Sequence, residues 1–503
     1  MNENLQIAPI VQWIGKICPQ GQLFSDSREI KPETDAVFFA YEGDSSDGRN
    51  YIAKAIENGA RAVVFESSDF EWNPEWKVPH LGVASLKANA GPIADAWYGS
   101  PAHSMLIIAV TGTNGKTSTT QWIAQAMSGL GKKTAVIGTL GVSVFKNGES
   151  GSSEETGYTT PDQVQLQRIL ADLHSREVKC VAIEASSIGI DQGRLNGLKI
   201  DVALFTNFTR DHLDYHHDMA SYKAAKRRLF DWSGLKHAVV NLDDAMGLEL
   251  AAELKSKMAL TGYSLNDVRA DIPVLKAVDI RNRTHGDEFR IDSPFGSSKI
   301  RTQLIGRFNV SNVLGVLGVL LAEGIEWNTA VQALSSLAAP PGRMQQMGGK
   351  EAPLVVIDFA HTPDALEKGL STLRHVASDR GGKLWCVFGC GGDRDHGKRP
   401  EMGEKAESAD VVIVTSDNPR SEDPKKIMEE IVSGMSRNPI QVEDRATAIL
   451  TAVKQASKND VIFLAGKGHE TYQEVKGMKR PFADADHVAL ALASRLTTQK
   501  VEP

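Results

Sequence analysis

Residues 110–120 read VTGTNGKTSTT: two glycines, a lysine and a run of hydroxyls in one short stretch. Gly112 and Gly115 let backbone N–H groups turn toward an anion, and a helix starting at this point would add its positive end. Lys116 can reach the outer phosphates of a nucleotide, and Thr117 can offer its hydroxyl to Mg²⁺. Thr113, Asn114 and Ser118 complete the loop. Val110 stands where a strict G-x4-G-K-T pattern has its first glycine, so the form is the shorter G-T-N-G-K-T. A bare G-K-T can be a surface turn. Here a strand-like run precedes it and an amphipathic run follows, which favours nucleotide binding. Glu184 closes the apolar run VAIE, a natural place for a Mg²⁺ carboxylate. Residues 206–230 then gather His212, Asp214, His216, His217 and Lys226. Each histidine alone reads as solvated or structural. Neither H-E-x-x-H nor C-x2-C spacing occurs, which argues against zinc.

The last third holds four polar motifs, each just after a strand-like run: Asp358 with His361, Asp393 to Asp395, Asp417 to Arg420, and Lys467 to Glu470. In open α/β sheets, ligands bind at that edge. A turn needs Asn418 and Pro419 for backbone reasons, but it does not need Arg420. An arginine fork suits a carboxylate.

These residues need elements to position them. Runs at 105–110, 133–138, 180–185, 201–206 and 237–242 are apolar on both faces, and a helical pattern lies between several of them, as at 161–176. Four more such runs, at 353–360, 383–390, 410–416 and 460–466, repeat the arrangement. The pattern predicts α/β domains with parallel sheets covered on both sides. Pro/Gly-rich breaks at 98–104 and 337–344 predict three domains, 1–102, 103–339 and 340–503, which suits a chain of 503 residues. The net charge of −7 gives no basic field for nucleic acid. The apolar runs are strand-length, so no membrane insertion is expected. Glu3 and the lack of a basic n-region argue against a signal peptide. Four cysteines make no disulfide framework. The expected compartment is the cytoplasm.

The motifs TGTNGKTS, YTTPD (158–162), EASSIGIDQGRL (184–195), TNFTRDHLDYH, YKAAKRRLF, GRFNVSN (306–312), DFAHTPD (358–364), GCGGDRDHGKRP (389–400), TSDNPR and AGKGHE (465–470) stand in the order of a known family. With residues 25–52 they span nearly the whole chain, which resembles the Mur ligases. The resemblance implies an N-terminal uridine-nucleotide-binding domain, a central P-loop ATPase domain and a Rossmann-like C-terminal domain. It implies a ligase of peptidoglycan synthesis that uses ATP and Mg²⁺; a monomer is expected. ATP would activate the D-Glu γ-carboxylate of UDP-N-acetylmuramoyl-L-Ala-D-Glu as an acyl phosphate, and an amino acid would attack it.

By resemblance, Ser27 contacts the uridine part. Thr159, Thr160, Ser186, Gln192 and Arg194 hold the muramoyl dipeptide. Thr117, Glu184 and His212 serve Mg²⁺, and Asn309, Arg343 and Asp358 surround the adenine, ribose and phosphates. Lys226 matches a lysine that is carbamylated in these enzymes; by itself, beside Lys223, Arg227 and Arg228, it reads as an exposed lysine. The D-N-P-R form resembles members that add meso-diaminopimelate, whereas lysine-adding members lack the arginine. Arg420 is then expected to grip the far carboxylate. Pro419 and Asn418 would fix the turn, Asp417 would orient the fork or meet the ligand amine, and Arg394, Gly466 and Glu470 would complete the pocket. Ile188 replaces a histidine and Phe359 a tyrosine of the usual family pattern. Two rival readings are a folylpolyglutamate synthetase-like ligase and a nucleotide-gated binding protein without ligation. The N-terminal segment and D-N-P-R argue against the first, and the cation set with Lys226 against the second.

Overall fold

The structure is a computed structural model that describes residues 7–43, 46–283 and 286–499. Among the described residues three large sheets carry it, with a separate two-stranded hairpin. The first has four parallel strands, Gln22–Phe24, Ala36–Ala40, Ala60–Glu66 and His80–Val83, side by side in chain order. Val37, Phe39 and Val64 meet Ile14, Leu86 and Ile93 on one face, while Phe38 and Val63 meet Ile52 on the other.

The central sheet has eleven strands. Its middle is parallel, with Leu106–Thr111 between Cys180–Glu184 and Val202–Phe205. Successive side chains of a strand face opposite ways. Ile107 and Ala109 enter one core, and Ile108 and Val110 the other. This is why these strands read as unbroken apolar runs. The third sheet has six strands, with Leu354–Asp358, Leu384–Phe388, Val411–Val414 and Val461–Ala465 in its parallel middle.

The expected parallel sheets are present, but both edges of the central sheet are antiparallel. Strands Gly141–Lys146 and Glu149–Glu154 join through Asn147 and Gly148, both at positive φ. Asn-Gly is a strong hairpin signal. All residues of the outer strand are exposed, so no apolar run marks it.

Helix Gln163–Ser175 seats the first sheet on the central one. Its N-cap Asp162 accepts from Ser25 Oγ at 2.7 Å and Tyr41 OH at 2.6 Å. Arg168 donates to Leu23 O at 3.0 Å and lies over the Phe24 ring. The third sheet is tied to the central one by Asn114 Nδ2 donating to Asp364 Oδ2 at 3.1 Å and by Arg210 donating to Glu401 at 3.3 Å. No helix among the described residues is long and apolar enough to cross a membrane.

Candidate active site

Strand Leu106–Thr111 lies where the strand order reverses. The chain leaves it for Thr134–Gly138 on one side and later crosses to Val202–Phe205 on the other. Such a switch point opens a crevice at the strands' C-terminal ends. The phosphate loop fills it and leads into helix Lys116–Gly129. Gly112 has φ 147° and a Cβ there would sit 1.9 Å from Thr206 Oγ1; Gly115 has φ 89° and faces Asn312. Both must be glycine for steric reasons.

Two lysines converge on one carbonyl. Lys116 Nζ donates to Gly112 O and Thr113 O, each at 2.9 Å. Lys226, on helix Met219–Arg227, donates to Gly112 O at 2.7 Å and lies over the Tyr222 ring. Lys226 is only 1 % exposed, which overturns its reading as a surface lysine. Burial, then the charge of Lys116, pushes its pKa well below the usual lysine range. Burial also lowers that of Lys116. A buried amine that sheds its proton easily can act as a nucleophile.

Glu184 is buried at its strand end. Its carboxylate accepts from Thr117 Oγ1 at 3.0 Å, Thr139 N at 2.9 Å and Thr139 Oγ1 at 3.1 Å. Arg343 Nη2 donates to the same Thr117 hydroxyl at 3.1 Å. His212 has φ 54° and its Nε2 stands 3.4 Å from Asp211 Oδ2. Burial pushes the His212 pKa down to about 4, against the pull of Asp211. Burial alone would raise Asp211, but His212, His361 and Lys398 hold it down at about 2. No group of three or more His, Cys, Asp or Glu residues that could hold a metal occurs among the described residues. The donors at hand are Glu184 and the Thr117 hydroxyl, both hard oxygens. That set fits Mg²⁺, which keeps several waters and takes phosphate oxygens as ligands.

One cleft of about 1620 Å³ runs from this loop to the third sheet. Thr113 to Ser118, Glu184, His212, Lys226, Asn309, Arg343 and Asp358 line it, as do Ile188 and Phe359. Arg343 stacks over the Phe359 ring at 4.6 Å. Asp358 Oδ2 accepts from Met344 N at 2.7 Å, and burial raises its pKa to about 6. Asn309 is turned inward, donating to Ile305 O at 2.9 Å.

Thr159, Ser186, Gln192 and Arg194 line the same cleft. Arg194 Nε donates to Gln192 Oε1 and its Nη1 to Thr160 O, each at 2.9 Å. Ser186 caps the short helix Ser187–Asp191. Thr160 lies behind this wall, donating to Glu184 O at 2.7 Å. Gly112, Pro419 and Ser27 also do not line the cleft. Ser27 is buried in the first sheet's layer, its carbonyl accepting from Asn58 at 2.8 Å.

At the far end Arg394, Asp417, Asn418, Arg420, Gly466 and Glu470 come together. Asn418 Nδ2 donates to Glu470 Oε2 at 2.8 Å, and the fully buried Lys467 donates to both, at 3.1 Å to Asn418 Oδ1 and 2.8 Å to Glu470 Oε2. Gly466 has φ 115°, and a Cβ would lie 2.4 Å from Asp417 Oδ2. Of the two roles expected of Asp417, orienting the Arg420 fork is not seen among the contacts of the described residues, and meeting the ligand amine is left open. Arg420 Nη1 donates to Gly392 O at 2.7 Å and its Nε faces Glu474 Oε2 at 3.5 Å. Asp417 lines the cleft beside the fork without bonding to it. Sequence reasoning missed Lys467 as a clamp, Thr139 and Asp211. Asp211 stood beside His212 in a stretch already singled out. Thr139 carried no signal.

Residues 110–320 match the Mur ligase middle domain, 342–468 the Mur ligase glutamate ligase domain and 23–98 the Mur ligase family catalytic domain. The chain is 58% identical over 497 residues to a UDP-N-acetylmuramoyl-L-alanyl-D-glutamate–2,6-diaminopimelate ligase of Janthinobacterium sp., covering 97% of each. It is 49% identical over 503 residues to the protein of that name from Ralstonia nicotianae, covering 97% of this chain and 96% of the relative. A solved structure of a ligase of that name is 35% identical, with a TM-score of 0.64, covering 94% of this chain and 95% of the other. A phosphate loop at the switch point of a parallel sheet, three family domains matched between residues 23 and 468 and these relatives agree: the chain belongs to the Mur ligase family.

Proposed function

We propose that this chain is an ATP-dependent ligase that joins meso-diaminopimelate to the D-Glu γ-carboxylate of UDP-N-acetylmuramoyl-L-Ala-D-Glu. The observation that carries the reading is a single cleft lined at one end by Lys116 and at the other by Arg420. The ligase name borne by the relatives supports it.

A free carboxylate is a poor acylating agent. Transfer of the ATP γ-phosphoryl group onto it makes an acyl phosphate; the amine attacks its carbonyl carbon, phosphate leaves and an amide forms. Two anions must approach each other, so the site needs cations and N–H donors aimed at the transferring group. Lys116 and the loop N–H groups supply them. Thr117 and Glu184 would hold Mg²⁺, with His212 and a carbamylated Lys226 in support; the ion supplies charge neutralisation at the phosphates. Arg343 and Asn309 serve the nucleotide, and Asp358 orders the Arg343 segment through Met344 N. Gln192 and Arg194 brace each other to receive the dipeptide, and Arg420 takes the far carboxylate of the amino acid.

In this reading residues 1–102 hold the uridine part through Ser27, 103–339 the ATP and 340–503 the amino acid. The enzyme works as a cytoplasmic monomer. Mass spectrometry of products from ATP, the nucleotide dipeptide and either diaminopimelate or L-lysine tests it. The expected product is the diaminopimelate amide, formed with ADP and phosphate. A lysine product with none from diaminopimelate, or ATP turnover on a folate alone, refutes the substrate assignment, and ATP hydrolysis without an amide refutes ligation.

A further inference from the structure

We infer that Glu474 is a positioning residue for substrate choice: the hairpin that carries it, and its carboxylate, aim the Arg420 fork. The inference rests on the diaminopimelate reading above. Glu474 does not line the cleft. It lies on the hairpin of strands Tyr472–Val475 and Met478–Pro481.

Arg420 has φ 51°, a left-handed conformation that a residue with a Cβ adopts only when its surroundings impose it. The hairpin imposes it. Arg420 N donates to Glu474 O at 3.0 Å and Lys476 N donates to Arg420 O at 2.6 Å. The rest of the turn is held by the same strand. Glu474 N donates to Asn418 Oδ1 at 2.9 Å, and Gln473 Nε2 donates to Asp417 O at 2.7 Å.

The side chain is then braced on two sides. Nη1 donates to Gly392 O, and Nε faces the Glu474 carboxylate at 3.5 Å. Nη2 makes no hydrogen bond among the described residues. The Gly392 loop is fixed in turn: Gly392 N donates to Asn418 O at 2.9 Å, and a Cβ on Gly392 would sit 2.0 Å from Pro419 O. An arginine held in this way loses little freedom on meeting a carboxylate, which is the source of affinity by preorganisation. An arginine without the brace would sample several rotamers and pay that ordering cost at each binding event.

The test compares wild type, Glu474→Ala, Glu474→Gln, Arg420→Ala and the double variant Glu474→Ala/Arg420→Ala. KM for diaminopimelate, ATP and the nucleotide dipeptide is measured for each, with a melting curve. Glu474→Ala is expected to raise KM for diaminopimelate about 10-fold and leave the other two within about twofold. Glu474→Gln, which keeps an acceptor, is expected to recover part of the loss. The double variant is expected to match Arg420→Ala, because a residue acting through Arg420 has no effect once Arg420 is gone. Additive losses, a wild-type KM in Glu474→Ala, or a parallel rise in all three KM values with a lower Tm would overturn the role of Glu474 and leave the substrate reading standing. A wild type that forms product with lysine and none with diaminopimelate overturns the substrate reading itself.

Discussion

Arg420→Ala probes the choice of amino acid most directly. A fully desolvated charged pair loses about 2–5 kcal/mol when one partner is cut away. The Arg420 side chain is 22 % exposed, so solvent screens part of that interaction. The lower part of the range applies, about 2–3 kcal/mol, or roughly 30–140-fold in kcat/KM for diaminopimelate. The fold should tolerate the change, since the side chain's loss removes the bond to Gly392 O, worth about 1 kcal/mol, and the weak pairing with Glu474. Arg420→Gly separates side chain from backbone: glycine accepts the positive φ without strain, so it should be the more stable variant and equally poor with diaminopimelate. Arg420→Lys keeps the charge without the fork and should fall between. The fork also repels the distal ammonium of lysine, so Arg420→Ala should narrow the preference between the two amino acids from both sides. The assay is kcat/KM with each amino acid at saturating ATP and nucleotide. An alanine variant that keeps the wild-type preference would show that Arg420 is only part of a turn.

Lys116→Ala should slow product formation by about 10²-fold or more with a near-normal melting curve, because one charged contact to the transferring phosphoryl group is gone; near-normal turnover would end the phosphate-loop assignment. Lys226→Ala should be nearly inactive and partly rescued by added short-chain carboxylic acids, which replace a carbamate; a fully active variant refutes the role. His469 is held by burial at about 4. From pH 6.5 down to 4 the unfolded chain therefore binds a proton that the folded chain does not, and stability falls as pH falls. Relative to wild type, His469→Gln should gain roughly 2 kcal/mol in urea unfolding between pH 7.5 and 4.5; parallel pH curves would contradict the burial argument. Arg445 and Asp484 are both fully buried and bonded twice, at 2.7 Å each. Arg445→Met should cost about 3–5 kcal/mol by stranding the Asp484 charge, and Arg445→Met/Asp484→Leu should recover most of it; equal losses in the single and double variants would refute the pairing.

What the sequence disclosed depends on how far apart the cooperating residues lie. The phosphate loop was legible because its parts are contiguous: glycines that must take positive φ, then a lysine, then a hydroxyl, between a strand and a helix. The parallel strands were legible because burial on both faces leaves no polar alternation. Glu149–Glu154, with all residues exposed, left no such trace. The joining contacts were illegible for a different reason. Asn114 meets Asp364 across 250 positions, and Thr117 meets Arg343 across 226. No local pattern encodes such a meeting, which exists only once the sheets pack.

The D-N-P-R turn shows both cases in one motif. Its composition announced a turn and an arginine held out toward the cleft, and both are present. The motif also suggested that Asp417 would orient the arginine or meet the ligand amine. Asp417, three residues before the arginine, is not the acid that faces it: the Arg420 side chain, on a backbone at φ 51°, reaches Gly392 O and the Glu474 carboxylate. The phosphate loop needs only backbone N–H groups and one lysine, which local sequence can supply. Choosing between two amines that differ by a distant carboxylate needs a fork fixed in direction. In the proposed reading, two loops and a hairpin, brought together at the edge of the third sheet, would provide that fixation for Arg420.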